Sequence, residues 1–380
     1  MRGEKKKQVE LFFVIDVESR IRADHPLRAL KTRVDGILRE MDKHFAAAYS
    51  RMGRPSVPPE RILKALLLMA IYSIRSERQL VERIDTDLLF RWFLDMTPED
   101  PAFDATVFTH NRPRLDQYGL TGKFFDAVVR EAMDQGLCSD DHFSVDGTMI
   151  ESMASIKSFR PNDEKPEDQD SNSFKPRNAE VDFHGEKRSN ATHRSRTDPE
   201  ARLYRKGPGK PALLSHLGHI LSENRNGLIV ELTVTEANGT AESDATLEMV
   251  DRYMSKHGKA PKTIGADKGY DDKKVLIGLE QRNITPHVAL TDKEPADPTT
   301  ARNDRREGIE SRLRMRDRMQ TVEYRVSQRV RKKVEECYGW LKTIAGLDRS
   351  RWVGRWKIRQ YMEISSAAYN LLRIQKLRTT

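Results

Sequence analysis

Apolar residues between positions 26 and 95 recur every three or four positions, the spacing that buries one face of a helix. In one segment, Pro58 and Pro59 suit a first helical turn, where the N–H groups have no internal partner. Ser76 is a candidate N-cap of a second segment. We therefore predict a helical N-terminal domain over residues 1–115. Its first segment buries one stripe: Ile62, Leu63, Leu66, Leu67, Ala70 and Ile71.

The pattern changes at Asp141, where short alternating runs of apolar and polar residues begin. Two such runs flank Asn226 and Gly227, a pair that tolerates positive φ and indicates a hairpin. Later strands alternate with helices. Strands first joined by a hairpin and then alternating with helices predict an α/β fold, a mixed sheet flanked by helices. The predicted strands cover 142–147, 212–222, 227–236, 262–267 and 285–290, and the predicted helices cover about 243–256 and 273–282.

Two further segments complete the predicted organisation. Residues 157–211 are rich in Pro, Asn, Ser and charged residues and lack periodicity, which predicts a loop-rich insertion. A single long helix is predicted from Tyr324 to Ile344, and a final one from about Trp356 to Arg378. We accordingly expect a sheet-containing domain over 116–350 and a basic C-terminal helix over 351–380.

Positive charge is concentrated at the C-terminal end. The chain carries +9 overall, but positions 301–380 hold 21 Lys and Arg against 9 Asp and Glu, a net +12, which leaves −3 for the first 300 positions. Lys and Arg next to phosphates release counterions, so this asymmetry suits a nucleic-acid partner. A solvated helical surface explains it equally well. Short N-terminal helices can likewise contact DNA, dimerise or simply pack.

Several classes of protein are excluded by composition. The longest apolar stretch, Ile62 to Ile74, is interrupted by Lys64 and is shorter than the roughly 18 residues of a membrane span. No cleavable leader follows the basic N-terminus, so we expect a cytoplasmic protein without membrane association. The two cysteines, Cys138 and Cys337, are too far apart in sequence to indicate a disulfide framework or a zinc site.

Two aspartates are placed for metal chemistry. Asp146 and Asp267 each lie at the end of a predicted strand, where side chains project into the crevice between loops. Carboxylates there can bind Mg²⁺ or Mn²⁺, and two such ions activate and stabilise the oxygens of phosphoryl transfer. Either aspartate alone is equally well explained as a turn residue. Lys268 and Tyr270, beside the second aspartate, are candidates for contact with DNA phosphate.

A third acid is expected from the helix predicted over Tyr324 to Ile344, at Glu335 or Glu336. At about 100° per residue, Arg331 and Lys342 fall within about 40° of Glu335, which gives an acid between two phosphate-binding cations. Glu336 lies closer to the apolar face, and periodicity alone leaves the choice open. His216 and His219, three apart on a predicted strand, should face opposite sides, which favours structural roles.

These segments resemble a known family, the DDE transposases of bacterial insertion sequences, in the group named for insertion sequence five. The resemblance extends over nearly the whole chain. It is carried, in order, by DHPLRAL (24–30), GRPSVPPE (53–60), YSIRSERQL (72–80), FRWFLDM (90–96), HFSVDGTMIES (142–152), DFHGEKRSNATH (182–193), GADKGYD (265–271) and VSQRVRKKVEECYGWLKT (326–343).

The resemblance implies a ribonuclease H-like catalytic domain with catalytic, metal-holding residues at Asp146, Asp267 and Glu335, and it implies two bound Mg²⁺ or Mn²⁺ ions. The family's pattern of Tyr, Arg, Glu and Lys selects Glu335 over Glu336, because Arg331 and Lys342 match its basic positions. Gln328 stands where the family has its tyrosine, so Tyr324 or Tyr338 is a candidate substitute.

The implied function is binding of an element's terminal inverted repeats, followed by metal-dependent strand cleavage and strand transfer. Because two DNA ends must be joined, a homodimer or larger assembly on DNA is expected. Two alternatives stay open. The first is a metal-dependent nuclease that joins nothing, and the second is an inactive DNA-binding remnant.

Overall fold

The computed structural model describes residues 16–50, 52–53, 55–162, 188–205, 207, 209–292, 297–299 and 301–379. Residues 163–187, the middle of the predicted loop-rich insertion, lie outside the described residues. None of the helices in the described ranges combines the length and apolar character that a membrane crossing requires.

The described part of the N-terminal region folds into helices. Pro59 begins the helix predicted after the proline pair. Ser76 caps the next helix, because its Oγ accepts the N–H of Gln79 (3.1 Å). Lys64, on the buried face, is ion-paired with Asp35 and Asp95. The helices are α1 (Val17–Arg20), α2 (Pro26–Glu40), α3 (Asp42–Ala48), α4 (Pro59–Ile71), α5 (Glu77–Thr86), α6 (Leu88–Phe93), α7 (Thr106–Gln117) and α8 (Leu120–Asp134).

A mixed sheet follows, as the alternating pattern predicted. Its central order is β6, β5, β1, β7, β8, and β4 pairs with the start of β5. Strands β1, β5 and β6 are antiparallel neighbours, whereas β7 and β8 run parallel to β1. The strands are β1 (His142–Glu151), β2 (Phe159–Pro161), β3 (His193–Ser195), β4 (Arg202–Tyr204), β5 (Leu213–Glu223), β6 (Leu228–Glu236), β7 (Thr263–Ala266) and β8 (Thr285–Val288); β2 and β3 form a separate pair.

The predicted hairpin joins β5 to β6. Gly227 has a φ of +70°, a conformation that glycine adopts without steric cost. The carboxylate of Glu223 accepts the backbone N–H groups of Arg225 (2.7 Å) and Asn226 (2.9 Å). These bonds give the backbone N–H groups of the turn their hydrogen-bond partners and stabilise the hairpin.

Helices cover the sheet and link it to the N-terminal helices. Helix α9 packs on β5 and β6, and the last helix contacts α4, α8 and β6. One cluster of buried apolar side chains includes residues of both regions, while the domain boundaries stay a prediction. The helices are α9 (Ala241–His257), α10 (Lys273–Gln281), α11 (Asn303–Met319), α12 (Val322–Arg331), α13 (Lys333–Thr343) and α14 (Arg355–Thr379).

The prediction of one continuous helix from Tyr324 to Ile344 was wrong. The segment is divided at Lys332 into α12 and α13. The N–H of Glu335 bonds to the carbonyl three residues back, at Lys332 (3.0 Å), which departs from the regular four-residue spacing of an α-helix. The angle between Arg331 and Glu335 therefore cannot be read from an ideal helix.

Candidate active site

The parallel pairing of β1 with β7 brings Asp146 and Asp267 together. The register joins His142 to Thr263 and Ser144 to Gly265, a constant offset of 121 positions. Asp267 is 121 positions after Asp146, so it follows the end of β7 at the level of Asp146 on the neighbouring strand. Neighbouring strands lie about 4.8 Å apart. Both aspartates therefore lie at the same point of the sheet.

Each aspartate is held by a local backbone hydrogen bond. Asp146 Oδ1 accepts the N–H of Gly147 (2.9 Å). Asp267 Oδ1 accepts the N–H of Gly269 (2.8 Å), which caps a single 3₁₀ turn over Lys268–Tyr270. The expectation that Asp146 ends its strand was wrong, because β1 continues to Glu151 through its pairing with β5, so Asp146 lies inside the strand. Asp267 does directly follow the end of β7.

The charge of Asp267 disfavours the ionised form of Asp146. Burial and then the charge of Asp267 raise the pKa of Asp146 to about 6, and the nearby guanidinium of Arg331 opposes this rise. A carboxylate pair of this kind is characteristic of functional sites, because a cation is needed to relieve the repulsion.

A third carboxylate at this point was not predicted from the sequence. Glu242 lies in the first turn of α9, and its pKa is raised by burial and by the charge of Asp267. A Cβ atom added to Gly269 would lie 3.0 Å from Asp267 Oδ1 and 3.4 Å from Glu242 Oε2. The predicted helix began at residue 243, so Glu242 fell just outside it.

Glu335 lies in the first turn of α13 with an exposed side chain, as does Glu336. Three residues further along α13, the hydroxyl of Tyr338 donates to the carbonyl oxygens of Asp146 (2.6 Å) and Gly218 (3.1 Å). The helix that carries Glu335 is thus attached to the backbone of the first aspartate. Among the described residues, no group of three or more His, Cys, Asp or Glu side chains is arranged to hold a metal ion.

The predicted DNA-contacting residues differ in exposure. Lys268 is exposed and pairs with Asp292 (3.4 Å), and Lys342 pairs with Asp348 (3.4 Å). Arg331 is half-buried. Tyr270 is only 1% exposed, because its ring packs in the main apolar cluster. The side chain of Tyr270 is therefore not accessible to DNA in this structure, and its predicted contact stays a prediction.

Gln328, where the family has its tyrosine, packs α12 against the sheet. Its Nε2 donates to the carbonyl oxygens of Ala266 (3.3 Å) and His287. Tyr324 is 8% exposed and its ring lies 5.9 Å from that of His287. Of the two candidate substitutes, Tyr338 is the one that contacts Asp146.

Several arginines of α11 form ion pairs within the protein. Arg312 donates to Asp271 Oδ2 (2.8 Å) and Thr291 Oγ1 (2.7 Å), and Asp271 is 6% exposed. Arg314 and Arg318 both pair with Glu280, so α11 is bound to α10 by charge. These three cations stabilise the fold next to the site.

A buried cluster centred on Asp198 supports the far end of β1. Asp198 Oδ2 accepts from Ser152 Oγ (2.7 Å) and lies 2.9 Å from His216 Nε2, with both Asp198 and His216 fully buried. Its other oxygen accepts the N–H of Gly354 (3.3 Å). His216 thus has the structural role expected of it, whereas His219 is the strand partner of Gly147 and faces the candidate site.

The donor set fits a divalent cation. Carboxylate oxygens are the ligands that Mg²⁺ and Mn²⁺ prefer, and two carboxylates on neighbouring parallel strands with a third beside them concentrate negative charge. Asp146 and Asp267 would hold such an ion. It would supply activation of an attacking oxygen and stabilisation of a leaving one.

Residues 15–114 match the family model described as a transposase domain (DUF772), and residues 200–371 match the model described as a transposase DDE domain. No curated protein matches the chain.

Three solved structures are similar over most of the chain. One is a piggyBac transposase synaptic complex with hairpin DNA (11% identity, 93% of this chain and 75% of that chain, TM-score 0.39). Another is a Mos1 transposase paired-end complex with left transposon end (12% identity, 79% and 82%, TM-score 0.20). A third is a Mos1 mariner paired end complex with Mn (11% identity, 87% and 90%, TM-score 0.20). Likenesses this distant carry no argument about function.

The two family matches lie in chain order and together span about seven tenths of the sequence. The second one includes Asp267, β5 to β8 and the helices up to α14. The chain therefore contains a transposase DDE domain preceded by a second transposase domain, and these matches support a DDE transposase enzyme.

Proposed function

We propose that this transposase binds the terminal inverted repeats of a bacterial insertion sequence, of the group named for insertion sequence five, and performs strand cleavage and strand transfer at Asp146, Asp267 and Glu335. The observation that carries the proposal is the register of β1 with β7, which brings the two aspartates to one point of the sheet. The strand order, three antiparallel strands followed by two parallel ones, supports a ribonuclease H-like catalytic domain.

Glu335 is proposed as the third acid on two grounds. It is the glutamate that matches the family pattern with Arg331 and Lys342, and it lies one helical turn from Tyr338, which contacts Asp146. Residues three apart share a helix face. The exposed side chain of Glu335 would join the two aspartates once DNA phosphate is bound between α13 and the strand ends.

In the proposed reaction, Asp146, Asp267 and Glu335 would hold two Mg²⁺ or Mn²⁺ ions, which would supply activation of the attacking oxygen and stabilisation of the leaving one. Water attacks the phosphorus at the end of the element, and the bond to the 3′-oxygen breaks. The freed 3′-hydroxyl then attacks a phosphorus of the target DNA, and the 3′-oxygen of the target strand leaves. Arg331, Lys342 and Lys268 are proposed to bind phosphates beside the reacting one, which orients it for in-line displacement.

Joining two ends requires two active sites on DNA, so a homodimer or larger assembly is part of the proposal. The positive charge of positions 301–380 and the N-terminal helices are the proposed DNA-binding surfaces. The nuclease alternative shares the site and differs only in lacking the second displacement.

The test is incubation of the purified chain with end-containing DNA and Mg²⁺, followed by sequencing of the products. Joined products are expected from the wild type, and Asp146→Asn, Asp267→Asn and Glu335→Gln should each lose at least about a hundredfold in rate. Glu336→Gln, the adjacent exposed glutamate, is the matched control and should retain activity. Cleaved but never joined DNA would favour the nuclease, and full strand transfer by Asp146→Asn would refute the proposal.

A further inference from the structure

We infer that Glu242 is a further metal-holding carboxylate of this site, which acts with Asp146 and Asp267 before DNA is bound. The described side chains do not form a ready three-ligand group, so a hydrated cation would have to draw the three carboxylates together. The inference rests on the proposed function, in which those two aspartates hold divalent metal. It assigns to α9 a direct part in the site that the three-acid pattern does not include.

The first observation is the approach of Glu242 to the second aspartate. Glu242 Oε2 and Asp267 Oδ1 lie 3.4 Å and 3.0 Å from one point, the Cβ position of Gly269. The two oxygens are thus separated by at most the sum of those distances, about 6.4 Å. One hydrated cation spans such a gap, since Mg²⁺ binds a carboxylate oxygen at about 2.1 Å and retains several waters.

The second observation is the approach of Glu242 to the first aspartate's strand. Glu242 Oε1 lies 3.0 Å from the Cβ position of Gly147, the residue directly after Asp146. Only a glycine leaves room for a carboxylate this close to β1. Glu242 therefore has one oxygen towards each aspartate-bearing segment.

Two buried polar atoms at the same place have no hydrogen-bond partner among the described residues. His219 Nδ1 lies 3.2 Å from the Cβ position of Gly147, and its ring is fully buried. The Tyr270 hydroxyl is also unpartnered, in a side chain that is 1% exposed. Its pKa is raised by burial first and then by the charges of Glu242, Asp146 and Asp267, which lie near it. Leaving such groups unpaired costs about 1–3 kcal/mol each, so they point to a ligand.

A hydrated cation supplies what these groups lack. Its water ligands can donate to His219 Nδ1 and accept from the Tyr270 hydroxyl while the ion neutralises the carboxylates. A stabilising ion pair within the protein does not explain Glu242, because it takes part in no ion pair within the described ranges. Its helix neighbour Asp244 pairs with Lys274. The helix N-terminus favours an acid in the first turn, but it does not explain an acid turned towards two other acids.

The inference is tested by binding of MnCl₂ to the full-length chain without DNA. The concentration of free Mn²⁺ is measured by electron paramagnetic resonance, and the midpoint of thermal unfolding is measured with and without the metal. Glu242→Gln is expected to weaken Mn²⁺ affinity roughly tenfold or more and to reduce the metal-induced rise in midpoint. Glu248→Gln, an exposed acid two turns along α9, is the matched control and should bind as the wild type does.

A second variant distinguishes the loss of a metal ligand from a failure to fold. Glu242→Asp keeps the charge but withdraws the carboxylate by one methylene, and it should also lose affinity while unfolding cooperatively in EDTA. Loss of Mn²⁺ binding in Asp146→Asn and Asp267→Asn with unchanged affinity in both Glu242 variants would overturn the role of Glu242 and leave the proposed function intact. Unchanged affinity in all four variants would overturn both.

Discussion

Replacing Asp146 by asparagine is expected to stabilise the metal-free protein while abolishing its activity. Burial and the charge of Asp267 raise the pKa of Asp146 to about 6, compared with roughly 3.9 in an unfolded chain. That difference corresponds to about 3 kcal/mol by which ionised Asp146 opposes folding, since one pKa unit is worth about 1.4 kcal/mol. Asparagine has nearly the same shape and carries no charge, so it removes most of this opposition.

The dependence on pH gives the sign of the effect. Below about pH 4 the carboxyl is protonated in both folded and unfolded chains and costs nothing. Between about pH 4 and 6 the unfolded chain releases its proton first, so wild-type stability falls, and above about pH 6 the full cost is present. The gain of Asp146→Asn should therefore be near zero at about pH 4 and largest above pH 6.

The assay is urea unfolding in EDTA at about pH 4 and pH 7.5, with Glu248→Gln as a control for the loss of an exposed carboxylate. A gain of about 2–3 kcal/mol at the higher pH and little at the lower one is expected. A variant that is no more stable than the wild type at pH 7.5, or one whose gain is the same at both pH values, would refute the electrostatic account of this pair.

Three further substitutions test contacts around the site by urea unfolding, with strand cleavage measured alongside. Arg312→Met leaves the buried Asp271 without its cation and should cost about 3 kcal/mol; a cost below 1 kcal/mol would show that the pair is not structural. Tyr338→Phe removes a donor to two strand carbonyls and should cost about 1–2 kcal/mol while slowing cleavage, whereas unchanged cleavage would separate α13 from the chemistry. Asp198→Ala leaves buried partners, including His216, unpaired and should cost about 3 kcal/mol, which an unaltered unfolding midpoint would contradict.

The sheet and its turn were predictable because their signals are local. Asn226 and Gly227 fix a hairpin through backbone conformation alone, and alternation marks the strands on either side. The final helix was predicted to within a residue or two of Arg355–Thr379 for the same reason. Periodicity also predicted the helix α4, but the single buried stripe expected for it was wrong. The helix is buried on nearly all sides, including Lys64 and Leu68, and Ile71 of the expected stripe is only half-buried.

The composition of the site depended on information that local patterns lack. The offset of 121 positions between Asp146 and Asp267 became meaningful only once the parallel register of β1 with β7 was known. Glu242 was missed because a first-turn glutamate is ordinary on any helix, and only the sheet packing turns it inward. His219 was assigned a structural role from strand geometry, and its cross-strand pairing with Gly147 was not visible in the sequence.

The break between α12 and α13 at Lys332 could not be predicted from the apolar periodicity either. The apolar spacing of α12 and α13 is compatible with one continuous helix, so the sequence offered no terminator at that point. Each helix has its own tertiary contacts with the sheet. Gln328 of α12 donates to carbonyls of β7 and β8, and Tyr338 of α13 donates to carbonyls of β1 and β5.

The position of α14 has a consequence for synthesis of the protein. This last described helix fills the space between α4, α8 and β6 with side chains such as Ile358, Tyr361 and Leu371. A chain released by the ribosome before Arg355 would leave the apolar surfaces of those elements open to water and prone to aggregation or proteolysis. Prematurely terminated copies would thus lack a closed core and would be degraded or aggregate instead of persisting as folded protein.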